Sequence, residues 1–166
     1  MPTGAPGSPQ SLDAEELRSW QAFLHVVAQI SAALNAQLRR DAGLSHFEYG
    51  MMSALSKAPE RSLRMSTLAE QAEGSLPRLS QVATRLEAKG WVRRSPDPSD
   101  GRFTLASLTD AGLAKLEEAA PGHVGEVRRQ LFDALTKSQV RQLTSICERI
   151  ERANSSRRGR EDRDHR

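Results

Sequence analysis

A single cysteine, Cys147, stands among the 166 residues of this chain. That excludes an intrachain disulfide and any cysteine-rich zinc site, and points to a reducing cytoplasm. Aromatic residues make up only 4% of the chain and hydrophobic residues 37%. With a mean hydropathy of −0.58, the chain can fill one lean core, and a long helical chain of this kind often completes its core with a partner. No apolar run reaches the roughly eighteen residues that a membrane-spanning helix needs. The opening Met1-Pro2-Thr3-Gly4-Ala5-Pro6-Gly7-Ser8-Pro9 has neither the basic start nor the apolar stretch of an export signal, so the sequence reads as neither exported nor membrane-bound. The histidines His25, His46, His123 and His165 are scattered with no i,i+4 pair, so neither a metal site nor a cofactor is expected. No nucleophile, base and orienter stand out together, which argues against an enzyme. No period of about twenty to fifty residues repeats, which removes solenoids.

What the chain does have is basic charge. The formal net charge is +3 and the pI about 9.5, which suits a polyanionic partner without proving one. Its placement says more. Between Ser75 and Arg102 the basic residues Arg78, Arg85, Lys89, Arg93, Arg94 and Arg102 face only Glu87, Asp97 and Asp100. The same region has a legible layout. A short helix over 67–72 carries Leu68, Ala69 and Ala72 on one side and breaks at Gly74. A second helix restarts at Ser75 with Leu79, Val82, Ala83 and Leu86 at 3/4 spacing, leaving Arg78, Gln81 and Arg85 on the opposite face. After the stop at Lys89-Gly90, residues 91–94 and 103–108 read as two strands around the turn-rich 95–101, with Arg102 at the neck of the hairpin. Two helices followed by a basic-tipped hairpin form a winged helix-turn-helix, a DNA reader, in a mostly α (α+β) fold.

Three motifs in order sharpen this: Leu86-Glu87-Ala88-Lys89-Gly90-Trp91-Val92-Arg93-Arg94, Asp97-Pro98-Ser99-Asp100-Gly101-Arg102 and Leu108-Thr109-Asp110-Ala111-Gly112. Together they resemble the signature of the MarR (multiple antibiotic resistance regulator) family of transcription regulators, over roughly residues 12–150. Two positions depart from the family pattern: Gln81 stands where many members carry a basic residue, and Ala106 replaces the usual valine. The resemblance implies a homodimeric repressor that binds a pseudo-palindromic double-stranded DNA operator and is released by a small aromatic or amphipathic effector. A winged-helix protein-interaction module and a constitutive architectural DNA-binding protein remain as alternatives.

Around the reader the chain divides simply. Residues 1–11 are Pro/Gly/Ser-rich and expected to be disordered, residues 12–153 form the MarR-type domain, and residues 154–166 are expected to be a disordered charged tail. Within the domain the winged helix spans about 44–108, between dimerisation helices over about 13–40 and 110–153. The first of these opens on the capping box Asp13-Ala14-Glu15-Glu16 and carries a seam of Leu17, Trp20, Leu24, Val27, Leu34 and Leu38 interrupted by Ser31. Nearly thirty residues of helix, about 40 Å at 1.5 Å per residue, exceed what one small winged domain can cover. Ser45-His46-Phe47-Glu48 and Thr136-Lys137-Ser138-Gln139 are further capping boxes, and Pro121-Gly122 is expected to kink the helix that Thr109 caps.

The DNA-contact candidates are Ser66, Thr67, Ser75, Arg78, Ser80, Gln81, Arg85, Arg94, Asp100 and Arg102. In a major groove, Arg can donate two bonds to guanine and Gln two to adenine, while hydroxyls and helix N-termini suit phosphate. Outside such a context Arg78, Gln81 and Arg85 would be an ordinary solvated helix face. By the resemblance, Arg102 enters the minor groove, and Asp100 is expected to hold the wing by pairing with Arg94 or Arg93. Trp20, Phe23, His46 and Tyr49 lie near where the family has its ligand pocket, although each also reads as a plain core or surface residue. Cys147, on the apolar face of the last helix, reads as a packed, inert thiol.

Overall fold

The computed structural model describes residues 11–71 and 75–164, with side chains as far as Ser156. The expected N-terminal tail and the break at Gly74 lie almost wholly outside these residues. Helix α1 (Ala14–Ala42) opens on Asp13, whose carboxylate accepts from the amides of Glu15 and Glu16 while Glu16 reaches back to the Asp13 amide. It closes at Gly43, whose φ of 66° is a left-handed conformation that a side chain resists. Helix α2 (His46–Lys57) starts from the reciprocal Ser45/Glu48 box. Strand β1 (Ser62–Arg64) follows, and then helices α3 (Met65–Gln71) and α4 (Leu76–Ala88). Helix α4 is capped by Ser75 and ends where the Trp91 amide bonds to the Leu86 carbonyl and Gly90 to Glu87, with φ of 72° at Gly90. This is the Schellman pattern, and it accounts for the glycine in the first motif.

Strands β2 (Val92–Asp97) and β3 (Asp100–Leu108) complete an antiparallel sheet in the order β1-β3-β2. Both wing strands run further than the sequence reading has them, leaving only Pro98 and Ser99 as the turn. Pro96 pairs with Thr104 and Asp97 with Asp100, so Gly101, Arg102 and Phe103 are looped out of the ladder. Arg102 therefore stands in a bulge of β3 beside the turn. The short link before Met65 pairs as β1 against β3, Ser62 opposite Ser107.

Thr109 caps helix α5 (Asp110–Gln130), accepting from the Gly112 amide. Gly112 explains its own motif: a Cβ there would lie 2.1 Å from the Trp91 carbonyl oxygen, so only glycine lets α5 leave the wing at this angle. Helix α5 runs on through Pro121 and ends at Gln130, followed by a 3-10 turn at Phe132–Ala134. The Thr136/Gln139 box then starts helix α6 (Lys137–Asp164). Sequence reading ends this helix near Asn154. The backbone stays helical to Asp164, through a stretch with no proline to stop it and with helix-favouring Arg and Glu in it.

The core lies where α1, α2, α4 and α5 meet the sheet. Leu38 and Leu44 meet Met52 and Leu55 there, with Leu79 and Leu86 from α4, Val92 and Ala106 from the sheet and Leu116 from α5. Ala106 is fully buried, a small residue at a closed strand position. The α1 seam divides in two: Leu34 and Leu38 are sealed, whereas Leu17, Trp20, Leu24 and Val27 are open to solvent. Ile146 and Ile150 of α6 are equally bare, and Cys147 beside them is exposed, not packed.

Candidate nucleic-acid interface

Helix α4 buries Leu79, Val82, Ala83 and Leu86, which rotates Arg78, Gln81 and Arg85 outward. None of the three is left loose by its surroundings except Gln81. The Arg78 guanidinium lies 4.7 Å above the Phe47 ring, and Arg85 donates to Glu48 at 3.2 Å. Glu48 is buried and, despite a burial that by itself would raise its pKa, is held below the usual carboxylate range by bonds from the Ser45 amide and hydroxyl and from Arg85. Ser75 accepts from the Arg78 amide and so serves as the N-cap. Ser66 and Thr67 fall in the first turn of α3, which begins two residues earlier than expected, with Met65 buried in the core.

Two further arginines brace the wing. Arg94 donates from its backbone to Glu87 Oε1 at 2.8 Å, and its guanidinium bonds to Glu87 Oε2, Thr84 Oγ1 and Ser80 Oγ. Arg94 and Ser80, both candidates for DNA contact, bond to each other here. Arg64 of β1 bonds to Asp97 at 2.7 Å and to Ser99, and stacks 4.3 Å over Phe103. Sequence reading gave Arg64 no role, since its partner is 33 residues away. Bonds from the Ser99 hydroxyl and amide, with Arg64, depress the Asp97 pKa to about 2. Asp100 pairs with Arg102 at 2.6 Å, not with Arg94 or Arg93: the looped-out backbone turns Arg102 over its neighbour, while Glu87 already holds Arg94. Even so, the Arg102 side chain remains 85% exposed.

A cleft of about 690 Å³ opens between α1, α2, α3 and α4. Arg39, Arg78 and Arg85 line it together with Ser31, Asn35 and His46, over an apolar floor of Phe47, Met51, Leu68 and Val82. Of the four ligand candidates only His46 lines this cleft. Trp20 and Phe23 stack on one another along the open part of α1, with ring centroids 6.4 Å apart. Tyr49 turns the other way, 4.3 Å from the ring of His123 on α5. Burial lowers the pKa of His46, and burial together with His46 lowers that of His123. Among the described residues no group of three or more His, Cys, Asp or Glu side chains is placed to hold a metal, and no helix is long and apolar enough to cross a membrane.

This architecture has known counterparts. The MarR family model matches residues 51–104, from α2 into the wing. Sco3205, a MarR family transcriptional regulator from Streptomyces coelicolor solved in complex with DNA, is 40% identical and superposes with a TM-score of 0.83 over 89% of this chain and 92% of its own. AbsC, a MarR family transcriptional regulator from the same organism, is 31% identical with a TM-score of 0.82 over 89% of this chain and 99% of its own. The HTH-type transcriptional repressor IacR of Pseudomonas putida is 31% identical over 88 residues, 51% of this chain and 50% of IacR; the match thus spans about half the length of the first curated relatives. Likeness of this extent to whole solved chains, on top of the three motifs and the winged sheet, settles the family: this chain is a member of the MarR family of transcriptional regulators.

Proposed function

We propose that the protein is a homodimeric, sequence-specific DNA-binding repressor in which α4 reads bases in the major groove and the wing sets Arg102 into the minor groove. One observation carries this reading. Helix α4 turns Arg78 and Gln81 outward, the wing tip projects Arg102, and every acidic side chain in the segment is already neutralised: Glu87 by Arg94, Asp97 by Arg64 and Asp100 by Arg102. The segment thus meets a polyanion without uncompensated carboxylates. Two bidentate contacts from Arg78 and Gln81 supply discrimination of about 1–3 kcal/mol each. Ser75, with Ser66 and Thr67, serves backbone phosphate at the starts of α4 and α3. The bare seam of α1 and the apolar face of α6 support assembly with a second copy, which places two reading helices on one operator.

The effector belongs in the cleft. Three guanidinium groups over an apolar floor suit a small amphipathic anion such as an aryl carboxylate, and Arg78 and Arg85 lie both on the cleft and on the outward face of α4. Titration of fluorescent duplexes from the region upstream of its own gene, against scrambled duplexes and over a range of salt, tests the reading. Affinity for the native duplex about 10³-fold or more above the scrambled one supports it. Equal affinity for both leaves an architectural protein, and no binding to either leaves a protein-interaction module. Substituted benzoates added to the complex should release DNA where their neutral amides do not.

A further inference from the structure

The reading helix and the wing meet at one side chain. Arg94 enters β2 four residues beyond Gly90, where the Schellman turn sends the chain back alongside the end of α4. Its amide and guanidinium then bond to groups from two successive turns of that helix: Glu87 Oε1 at 2.8 Å, Glu87 Oε2 at 2.9 and 2.7 Å, Thr84 Oγ1 at 3.0 Å and Ser80 Oγ at 3.4 Å. Thr84 is itself fixed by donating to the Ser80 carbonyl at 3.0 Å. The ion pair is only about one-third exposed on either partner. A planar fork that donates to acceptors on three α4 side chains permits one orientation of β2 against α4, which a flexible ammonium could not impose. Arg102, by contrast, pairs only with Asp100 within its own strand and keeps its side chain 85% exposed.

We infer that Glu87 and Arg94 are positioning residues for recognition. By locking the wing to α4 they fix the spacing, along the DNA, between the bases read by Arg78 and Gln81 and the minor-groove segment reached by Arg102. This rests on the DNA-reading function proposed above. The wing and reading helix then move as one body, and specificity includes an offset as well as a set of bases.

The test uses the full-length protein and the duplex that the wild type enriches from a random library. In variants of that duplex the narrow A·T segment under the wing is shifted by one base pair, leaving the major-groove bases unchanged. The wild type should prefer the original offset about tenfold. Glu87→Gln and Arg94→Lys should cut that preference to within about twofold while retaining the base preferences of α4. Thr84→Val, which removes one bond and no charge, should give an intermediate loss and keeps the test open if the other variants fold poorly. Full offset preference in Arg94→Lys overturns the inference, because it shows that only a positive charge is needed. Tighter binding with a steeper salt dependence in Glu87→Gln overturns it too, since Glu87 would then merely have restrained a phosphate-binding arginine. A lowered melting temperature with the offset preference intact in all three variants reduces the fork to a structural brace. Failure of the wild type to enrich any sequence removes the DNA-reading function itself, whereas enrichment with an unaltered offset preference in the variants removes only this inference.

Discussion

Leu24 and Leu38 lie on the same seam of α1, yet Leu38 is fully buried and Leu24 is 46% exposed. The contrast separates the winged domain from the long helices that flank it. In the winged domain one chain closes its own interior, from Leu38 and Met52 to Leu86 and Val92. Along the first half of α1 and the face of α6 the same kind of pattern is left open: Trp20 is 50% exposed and Ile146 55%. Ion pairs differ in reach: Arg64, Arg85 and Arg94 of the winged domain pair with other elements, whereas Arg40, Arg129 and Arg152 of the flanking helices pair within their own helix. The difference teaches that the winged domain closes its interior within one chain, while the outer helices leave apolar surface open, the surface that the proposed dimer would cover. Stability and assembly should therefore respond to different substitutions.

The largest expected effect falls on the closed half. Leu38→Ala should destabilise the chain by about 2–5 kcal/mol, measured by urea unfolding, whereas Leu24→Asp should leave the winged domain folded and convert a particle of about twice 18.3 kDa into one of chain mass by light scattering. A wild-type monomer at micromolar concentration would erase the contrast. Next comes the junction between the regions: Gly112→Ala pushes a methyl against the Trp91 carbonyl and should cost about 1–3 kcal/mol or somewhat more, because backbone has to move. Little change in unfolding midpoint would mean α5 can slide on the wing.

Within the reader, Arg78→Ala and Gln81→Ala should each relax preference at one base step by about 1–3 kcal/mol, read by competition against single-base variants. Equal weakening on every sequence would assign them to the backbone. Arg102→Ala should weaken binding and flatten the slope of log affinity against log salt by roughly 0.9, with the melting temperature nearly unmoved. Asp100→Ala should give a milder defect by freeing Arg102 without removing its charge. A lower melting temperature with unchanged salt slope would make Arg102 a hairpin residue only.

The smallest effect is confined to the wing turn and to acid. Asp97 has its pKa lowered from 3.8 to about 2, so its contribution is complete above about pH 4 and is lost as pH falls toward 2, the sign for a carboxylate favoured in the folded state. The Ser99 amide resonance should titrate with a midpoint near 2. A midpoint near 4 would show that the turn does not depend on Asp97.

The parts of this account that sequence carried were local. Asp13, Ser45 and Thr136 announce their helices because a capping box lies within four residues, and Gly90 and Gly112 stand in motifs whose geometry needs glycine. The α4 face was legible from its 3/4 spacing. What escaped was held by distant partners: Arg64 finds Asp97 across the sheet, Arg85 finds Glu48 on another helix, and Arg94 turns back onto α4 only because the chain reverses at Gly90. The lining of the cleft was not legible for the same reason. Of the ligand candidates His46 lines the cleft and Trp20, Phe23 and Tyr49 do not, while Arg39, Phe47 and Met51 become its neighbours only after α1 and α2 pack.

Selection of duplex DNA from a random library by the wild-type protein tests the central claim most directly, because it asks for base reading and for two copies at once. The expected product is an inverted repeat with half-site centres about 10–10.5 bp apart, or a multiple of that spacing. No enrichment, or enrichment of single half-sites without symmetry, would contradict it.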